Sequence, residues 1–120
     1  DDAFFLETAL KERCHTWIYT IVRNGAELLA FLEKNTLASS SALILLDMNM
    51  PRLNGLETLV GIRRLPAWAQ VPVVGYSNSS DEKMIRAFFA AGGNHFMQKP
   101  YEFEGYGEIV MTLRDVAEAI

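Results

Sequence analysis

The sequence predicts an α/β domain with a parallel sheet and crossover helices. Its 120 residues are the size of one domain, and half of them are apolar, which suffices for a sizeable core. Segments typical of strands alternate with segments typical of amphipathic helices, in the order αβαβαβαβα. Alternation of this kind indicates βαβ units, in which helices cover the faces of a parallel sheet.

The first half of the chain contains two predicted helices and two predicted strands. Apolar residues at helical spacing within residues 5–10 predict an opening helix. Residues 17–22 are β-branched and aromatic, which is typical of a strand. A second helix is predicted to begin at Asn24 and Gly25. The nearly continuous apolar run 42–48 predicts a strand covered on both faces, as strands of parallel sheets are.

The second half continues the alternation. The Asn-Gly pair at residues 54 and 55 indicates a turn, after which a helix is predicted to run on through Arg64, and residues 71–76 predict another apolar strand. Ser79, with Glu82 three residues later, predicts a capping box at the start of the next helix.

The last third completes the predicted fold. The helix that follows Ser79 is expected to bury Phe88 and Phe89 and to stop at the glycines 92 and 93. Residues 95–98 predict a short strand. Apolar residues at helical spacing between residues 109 and 116 predict the final helix.

Charge and composition exclude several classes of function. The longest apolar run, residues 42–46, is far shorter than the ~20 residues that a membrane-spanning helix needs. The net charge is −4, which is not the footprint of a nucleic-acid-binding protein. Cys14 is the only cysteine, so an intramolecular disulfide and a cysteine zinc site are excluded. We therefore expect a cytoplasmic protein without nucleic-acid or membrane partners.

Three polar residues follow the ends of three predicted strands. These are Asp47, Ser77 and Lys99. The carboxyl ends of parallel strands meet at one edge of a doubly wound sheet, where ligands bind. A carboxylate that emerges from a buried strand is costly unless it is paired or binds a metal. The structural alternatives are a turn cap or ion pair for Asp47, a turn hydroxyl for Ser77 and a solvated charge for Lys99.

The segments around these three residues have recognisable sequences. Residues 45–57 are LLDMNMPRLNGLE, residues 72–77 are PVVGYS and residues 96–101 are FMQKPY. In order and spacing they resemble the phosphoacceptor segment, the switch-hydroxyl strand and the Lys-Pro segment of bacterial two-component response-regulator receiver domains. The resemblance covers essentially the whole chain. It implies a flavodoxin-like doubly wound sheet of five parallel strands in the order 2-1-3-4-5.

The resemblance also implies a role for each residue. Asp47 is expected to accept a phosphoryl group from a histidine kinase, a phosphotransfer protein or a small acyl phosphate. Lys99 is expected to pair first with Asp47 and then with a phosphoryl oxygen, and Ser77 to donate its hydroxyl to another. Phe96 matches the family's aromatic switch. Mg²⁺ is expected to be held by Asp47, the backbone carbonyl of Asn49 and an acidic pair from the first strand.

Phosphorylation of such a domain is expected to bias a two-state equilibrium. The responding surface in the family comprises its fourth helix, fifth strand and fifth helix, and it binds a downstream protein. The resemblance thus implies a signalling switch rather than an enzyme, acting as a monomer or weak dimer. Because the sequence ends with the fifth helix, we expect the stand-alone, chemotaxis-regulator-like type. The peptide bond before Pro100 is expected to be cis.

The sequence departs from the family in its first strand. The segment 1–10 resembles the family's first helix, so the 120 residues are expected to form one receiver domain whose first strand, with its acidic pair, lies upstream. The alternative is that Asp1 and Asp2 are that pair. Asn78 stands where relatives usually carry a small residue, and Gly75 and Tyr76 replace the commoner aliphatic residues.

Two other functions are compatible with this fold. The first is a protein-interaction module that has the receiver fold but works without phosphorylation. The second is a hydrolase or nucleotide-binding protein. The sequence contains no glycine-rich phosphate loop of the P-loop or dinucleotide type, which weighs against the second.

Overall fold

The structure is a computed structural model. It describes residues 8–10, 20, 22, 24–36, 42–49, 54–78, 81–100 and 105–118. The chain divides into two compact units, one comprising Val22–Lys99 and the other comprising Asp1–Ile21 together with Pro100–Ile120.

The first unit contains a parallel sheet and the helices that connect its strands. Its elements are, in chain order, α1 (Gly25–Lys34), β1 (Ile44–Asp47), α2 (Gly55–Arg64), a short 3₁₀ helix (Pro66–Trp68), β2 (Val73–Ser77), α3 (Glu82–Ala90) and β3 (His95–Gln98). Each predicted element between residues 24 and 98 is therefore confirmed, with boundaries that shift by two residues or fewer at the strands.

The strands of this unit lie in the order β1-β2-β3, and both pairs are parallel. The middle strand, β2, is buried at every position. Asp47 pairs in register with Tyr76, and Ser77 pairs with Gln98. The last residues of the strands thus lie at one edge of the sheet. The strands β1, β2 and β3 correspond to strands 3, 4 and 5 of the predicted order 2-1-3-4-5. The positions of strands 2 and 1 stay a prediction.

A close approach between α3 and β2 explains one departure from the family pattern. Phe88 is fully buried, and its ring lies over Gly75. A Cβ atom at Gly75 would lie 2.7 Å from that ring, so a larger residue there would displace the helix. Phe88 also contacts Phe96 edge to face, with 5.5 Å between the ring centroids. Glycine at this position therefore makes room for an aromatic pair in the core.

The helix caps differ in part from the prediction. The Asn54 side chain accepts a hydrogen bond from Glu57 N, and the Glu57 side chain accepts one from Asn54 N, which is a capping box that the sequence analysis did not single out. The predicted box from Ser79 is wrong, because the residue that caps α3 lies two positions later in the chain. Its N-cap is Asp81, whose side chain accepts from Lys83 N at 3.1 Å.

Two further predictions in this unit are wrong. Phe89 is 46% exposed rather than buried, because it follows Phe88 on the helix and points away from the sheet that Phe88 covers. No cis peptide bond occurs among the described residues, so the bond before Pro100 is trans. Trans is the lower-energy form unless tertiary contacts select the other. The predicted stop of α3 is confirmed, since Gly92 has a φ of 104°.

The second unit contains helical segments. Residues 8–10 are helical, with Ala9 and Leu10 buried, as predicted for the opening helix. The final predicted helix is α4 (Gly105–Glu118), which buries Tyr106, Ile109, Val110 and Leu113. Of the predicted strand 17–22, Thr20 of this unit and Val22 of the first unit have no regular secondary structure, and the rest lies outside the described residues.

Within the described residues, none of the helices combines the length and the apolar character that crossing a membrane requires. Asp1, Asp2 and Cys14 lie outside the described residues.

Candidate functional site

The three residues predicted from the strand ends lie together in the structure. Asp47 ends β1, Ser77 ends β2 and Lys99 follows β3 directly. Backbone hydrogen bonds continue past the strands, from Met48 N to the carbonyl of Tyr76 and from Lys99 N to the carbonyl of Ser77. The backbone that carries the candidate residues is thus held by the sheet itself. We call this group of side chains, with Asn49 and Tyr76, the carboxyl-edge cluster.

Asp47 and Lys99 form an ion pair in this cluster. The Lys99 Nζ atom lies 3.0 Å from Asp47 Oδ2. The lysine side chain is only 6% exposed, whereas the aspartate side chain is 29% exposed. An ammonium group that is almost withdrawn from water needs a charged partner, and Asp47 supplies it. The carboxylate is therefore the more solvent-accessible member of the ion pair.

The ring of Tyr76 lies beneath the Lys99 ammonium, 5.1 Å from its centroid. Because Tyr76 pairs in register with Asp47, both side chains project from the same face of the sheet. The side chain of Lys99 starts beyond β3 and must pass over the middle strand to reach Asp47 on β1. Tyr76 provides a cation–π surface along that path. In the sequence, Tyr76 differs from the commoner aliphatic residue of the family, but this contact with Lys99 was not predicted.

Asn49 connects the ends of β1 and β2. Its backbone N–H donates to Asp47 Oδ1 at 2.8 Å. Its side-chain Oδ1 accepts from the hydroxyl of Ser77 and from the backbone N–H of Asn78, each at 3.0 Å. The backbone carbonyl of Asn49 was predicted to bind Mg²⁺, but these hydrogen bonds of its side chain were not predicted from the sequence. The only available signal was an amide two residues beyond a strand-ending aspartate.

Ser77 and Asn78 differ in exposure. Ser77 is 0% exposed, so its hydroxyl is held inside the sheet edge, whereas Asn78 is exposed. The Asn78 carbonyl accepts from the Gln98 side chain at 3.3 Å, which ties the turn after β2 to β3. The Asn78 N–H and the Ser77 hydroxyl both point toward Asn49. The position where relatives carry a small residue is therefore part of the site through its backbone.

Phe96 lies apart from these polar groups. It pairs in register with Gly75, so its side chain projects from the face opposite to that of Tyr76. There it packs against Phe88 and the core of the first unit. The role of Phe96 as an aromatic switch stays a prediction.

Two of the oxygen ligands predicted for Mg²⁺ lie among the described residues. Within the described ranges, no group of three or more histidine, cysteine, aspartate or glutamate side chains could hold a metal ion. The carboxylate of Asp47 and the backbone carbonyl of Asn49 are the oxygen ligands that Mg²⁺ prefers. The predicted acidic pair, whether in the family's first strand or at Asp1 and Asp2, lies outside the described residues.

The sequence matches the response regulator receiver domain over residues 1–110. The chain belongs to this family. Receiver domains are signalling modules of two-component systems, and the family has the flavodoxin-like fold that the sequence predicts. The carboxyl-edge cluster therefore lies in a domain whose family works in phosphorelay signalling.

Two relatives match this chain over most of its length. The chain is 30% identical over 101 residues to the response regulator Rcp1 of Synechocystis sp., and the match covers 82% of this chain and 69% of Rcp1. It is 27% identical over 108 residues to the chemotaxis protein CheY of Bacillus subtilis, covering 85% of this chain and 82% of CheY.

Other relatives are much longer than the match. The chain spans only 9% of the protein RcaC of Microchaete diplosiphon, to which it is 37% identical over 57 residues. It spans 8% of the sensor histidine kinase AruS of Pseudomonas aeruginosa, at 38% identity over 80 residues. Receiver domains similar to this one thus occur both in short regulators and within large signalling proteins.

Solved structures give the same fold. The phosphorylated cyanobacterial phytochrome response regulator RcpA superposes with a TM-score of 0.82 and 27% identity, covering 95% of this chain and 84% of RcpA. The Mn²⁺-bound form of Rcp1 superposes with a TM-score of 0.75 and 27% identity, covering 94% of this chain and 84% of that one.

Proposed function

We propose that this receiver domain accepts a phosphoryl group on Asp47 from a histidine kinase, a phosphotransfer protein or a small acyl phosphate. The observation that carries the proposal is the ion pair between Asp47 and the nearly buried Lys99 at the carboxyl edge of the sheet. An ammonium and hydrogen-bond donors beside a carboxylate can stabilise the additional negative charge that a phosphoryl group brings to it.

The transfer needs one bond to form and one to break. An oxygen of the Asp47 carboxylate attacks phosphorus, and the bond from phosphorus to the donor's nitrogen or oxygen breaks, with the leaving group keeping the electron pair. Lys99 moves its charge from the carboxylate to a phosphoryl oxygen, which costs little because the ammonium is already in place. Ser77 donates its hydroxyl to a second oxygen. Catalysis of such a transfer is mostly positioning and charge neutralisation.

A divalent cation, which we propose to be Mg²⁺, belongs to the same site. The Mn²⁺-bound structure of Rcp1 supports this for a relative. Asp47 and the backbone carbonyl of Asn49 would supply two oxygen ligands, and the acidic pair predicted for the first strand would supply others. When bound, the cation supplies positive charge beside the phosphoryl oxygens.

We further propose that phosphorylation is communicated to a downstream protein. Of the predicted responding surface, α3 and β3 belong to the same unit as Asp47. The hydroxyl of Ser77 lies at the end of the strand next to β3, so its movement toward a phosphoryl group would change the contacts of that edge. The domain is in this view a substrate and a switch rather than an enzyme. It works in the cytoplasm, where its phosphodonors are made.

Intact-protein mass spectrometry tests the proposal. The protein is incubated with Mg²⁺ and acetyl phosphate, beside an Asp47→Asn variant whose fold is checked by circular dichroism. We expect the unaltered protein to gain one phosphoryl group and D47N to gain none. If both proteins gained the phosphoryl group equally, a residue other than Asp47 would be the acceptor. No gain by the unaltered protein would favour the phosphorylation-independent interaction module.

A further inference from the structure

We propose that the side-chain amide oxygen of Asn49 is a placeholder for a phosphoryl oxygen. The inference deepens the proposed function and rests on it. Two donors from consecutive residues, the Ser77 hydroxyl and the Asn78 N–H, converge on this one atom, each at 3.0 Å. Convergence of a hydroxyl and a backbone N–H on a point is how proteins bind anionic oxygens. Here a neutral oxygen of the chain itself occupies that point.

The position of this point relative to Asp47 supports the assignment. Asn49 is two residues from Asp47, and its backbone N–H donates to Asp47 Oδ1 at 2.8 Å. The donors that converge on the amide oxygen therefore lie at the end of β2, directly beside the carboxylate that would carry the phosphoryl group. A phosphoryl group has three strong acceptor oxygens, and its hydrogen bonds are charge-assisted. It can replace the amide oxygen as acceptor.

In the unphosphorylated state, the amide oxygen of Asn49 accepts the hydrogen bonds that a phosphoryl oxygen would accept after the transfer. Ser77 is fully buried, and a hydrogen bond from a buried hydroxyl stabilises the protein more than one exposed to water. The Asn49 oxygen accepts this bond together with that of the Asn78 N–H. Because Asn49 is exposed, its side chain can turn into water when a phosphoryl group arrives. The same contact competes with the phosphoryl group, so Asn49 lowers the affinity of the site while keeping it ordered.

The affinity of the site for a phosphoryl mimic measures this competition. Beryllofluoride, which adds to carboxylates as a tetrahedral phosphoryl analogue, is titrated with Mg²⁺ into the protein by calorimetry. We expect Asn49→Ala to bind it about threefold to tenfold more tightly, the factor that corresponds to losing one or two competing hydrogen bonds. In the S77A background the gain from N49A is expected to shrink. The Asn78 amide proton should exchange faster in N49A without the analogue.

Two further variants separate the placeholder from a change in stability. Asn54→Ala removes a helix cap but touches none of the atoms of the site, so its affinity is expected to equal that of the unaltered protein. Asn49→Gly removes the same amide oxygen as N49A and is expected to behave alike, which covers the case that one variant folds poorly.

The outcomes distinguish this inference from the proposed function. If the unaltered protein binds the analogue and D47N does not, but N49A and N49G bind it equally or more weakly, the placeholder is overturned and the proposed function stands. A gain of the same size in N54A would also overturn it, because the effect would then follow stability. Failure of the unaltered protein to bind the analogue and to gain a phosphoryl group would overturn both.

Discussion

The two ends of the three-stranded sheet each hold a cation, but the cations have different kinds of partner. At the carboxyl edge, Lys99 pairs with the charged carboxylate of Asp47. At the amino edge, Arg63 donates to neutral oxygens: its Nε and Nη2 to the carbonyl of Gly92, its Nη2 also to Asn94 Oδ1, and its Nη1 to the carbonyls of Val71 and Trp68. We call this second group the amino-edge clamp.

The amino-edge clamp ties several segments of the fold together. Arg63 lies in the last turn of α2, Val71 precedes β2 and Asn94 precedes β3. Asn94 Oδ1 also accepts from the backbone N–H of Val73 at 2.8 Å. Burial lowers the pKa of the Arg63 guanidinium, yet an arginine keeps its proton under all ordinary conditions. The positive charge of the clamp is therefore the same whether or not Asp47 is phosphorylated.

The comparison shows how partners separate a structural cation from a reactive one. Neutral carbonyl partners neither gain nor lose charge, so Arg63 is suited to fix the fold. The carboxylate partner of Lys99 would change its charge on phosphorylation, so Lys99 is suited to respond. Each of the following predictions tests one side of this contrast.

The largest effect is expected from removing the charge at the carboxyl edge. Lys99→Met keeps most of the side-chain volume but loses the ammonium group. We expect the rate of phosphoryl gain from acetyl phosphate to fall about a hundredfold to a thousandfold, as when one preorganised donor is removed from a reaction site. Mass spectra taken over time give the rate. A fall of less than fivefold would contradict the role assigned to Lys99.

A large loss of stability, without loss of chemistry, is expected at the amino edge. Arg63→Met leaves the carbonyls and Asn94 without their charged donor, so we expect the free energy of unfolding to fall by about 2–4 kcal/mol. Urea denaturation measures it. Arg63→Lys should recover only part, because a lysine cannot reach oxygens on opposite sides at once. The phosphorylation rate of the folded R63M protein is expected to be unchanged. A lower rate would contradict the purely structural role assigned to Arg63.

A smaller effect is expected from a residue that lies near the carboxyl edge but has a structural role. Asn54→Ala removes the capping box of α2 and should lower the free energy of unfolding by about 1 kcal/mol. The phosphorylation rate should not change. A slower rate in N54A would show that the start of α2 belongs to the carboxyl-edge cluster.

The smallest effect is expected from the ring beneath Lys99. Tyr76→Leu keeps an apolar side chain but loses the cation–π surface, so we expect phosphorylation to slow about threefold. Tyr76→Phe keeps the ring and should retain the rate. The Lys99 side-chain proton resonances, shifted by the ring in the unaltered protein and in Y76F, should move in Y76L. Equal phosphorylation rates in all three proteins would show that the ring of Tyr76 does not contribute to the reaction.

Sequence patterns predicted well the features that depend on neighbouring residues. The apolar runs and the helical stripes identified every strand and every α-helix that the structure describes between residues 24 and 98, but not the 3₁₀ helix Pro66–Trp68. The alternation of elements predicted the parallel sheet, and the polar residues at the strand ends identified Asp47, Ser77 and Lys99 as a group. These signals succeed because strand and helix periodicity are local properties and because parallel strands place their carboxyl ends together.

The capping residue of α3 and the exposure of Phe89 were predicted wrongly for a common reason. Ser79 and Asp81 are both good caps, and the sequence alone does not say where the turn after β2 finishes. Phe88 and Phe89 are adjacent and equally apolar, yet only one of them can face the sheet. In both cases the packing of α3 on β2 decided between two residues that the local sequence does not distinguish.

The sequence by itself thus determined the parallel α/β architecture and the residues that meet at its carboxyl edge. Only the tertiary structure decided what each of them touches. The hydrogen bonds from Ser77 to Asn49 and from Arg63 to Asn94 join residues 28 and 31 positions apart, and the ion pair of Asp47 and Lys99 joins residues 52 positions apart. Contacts of that separation depend on the register and packing of the strands, and a pattern along the chain does not contain that information.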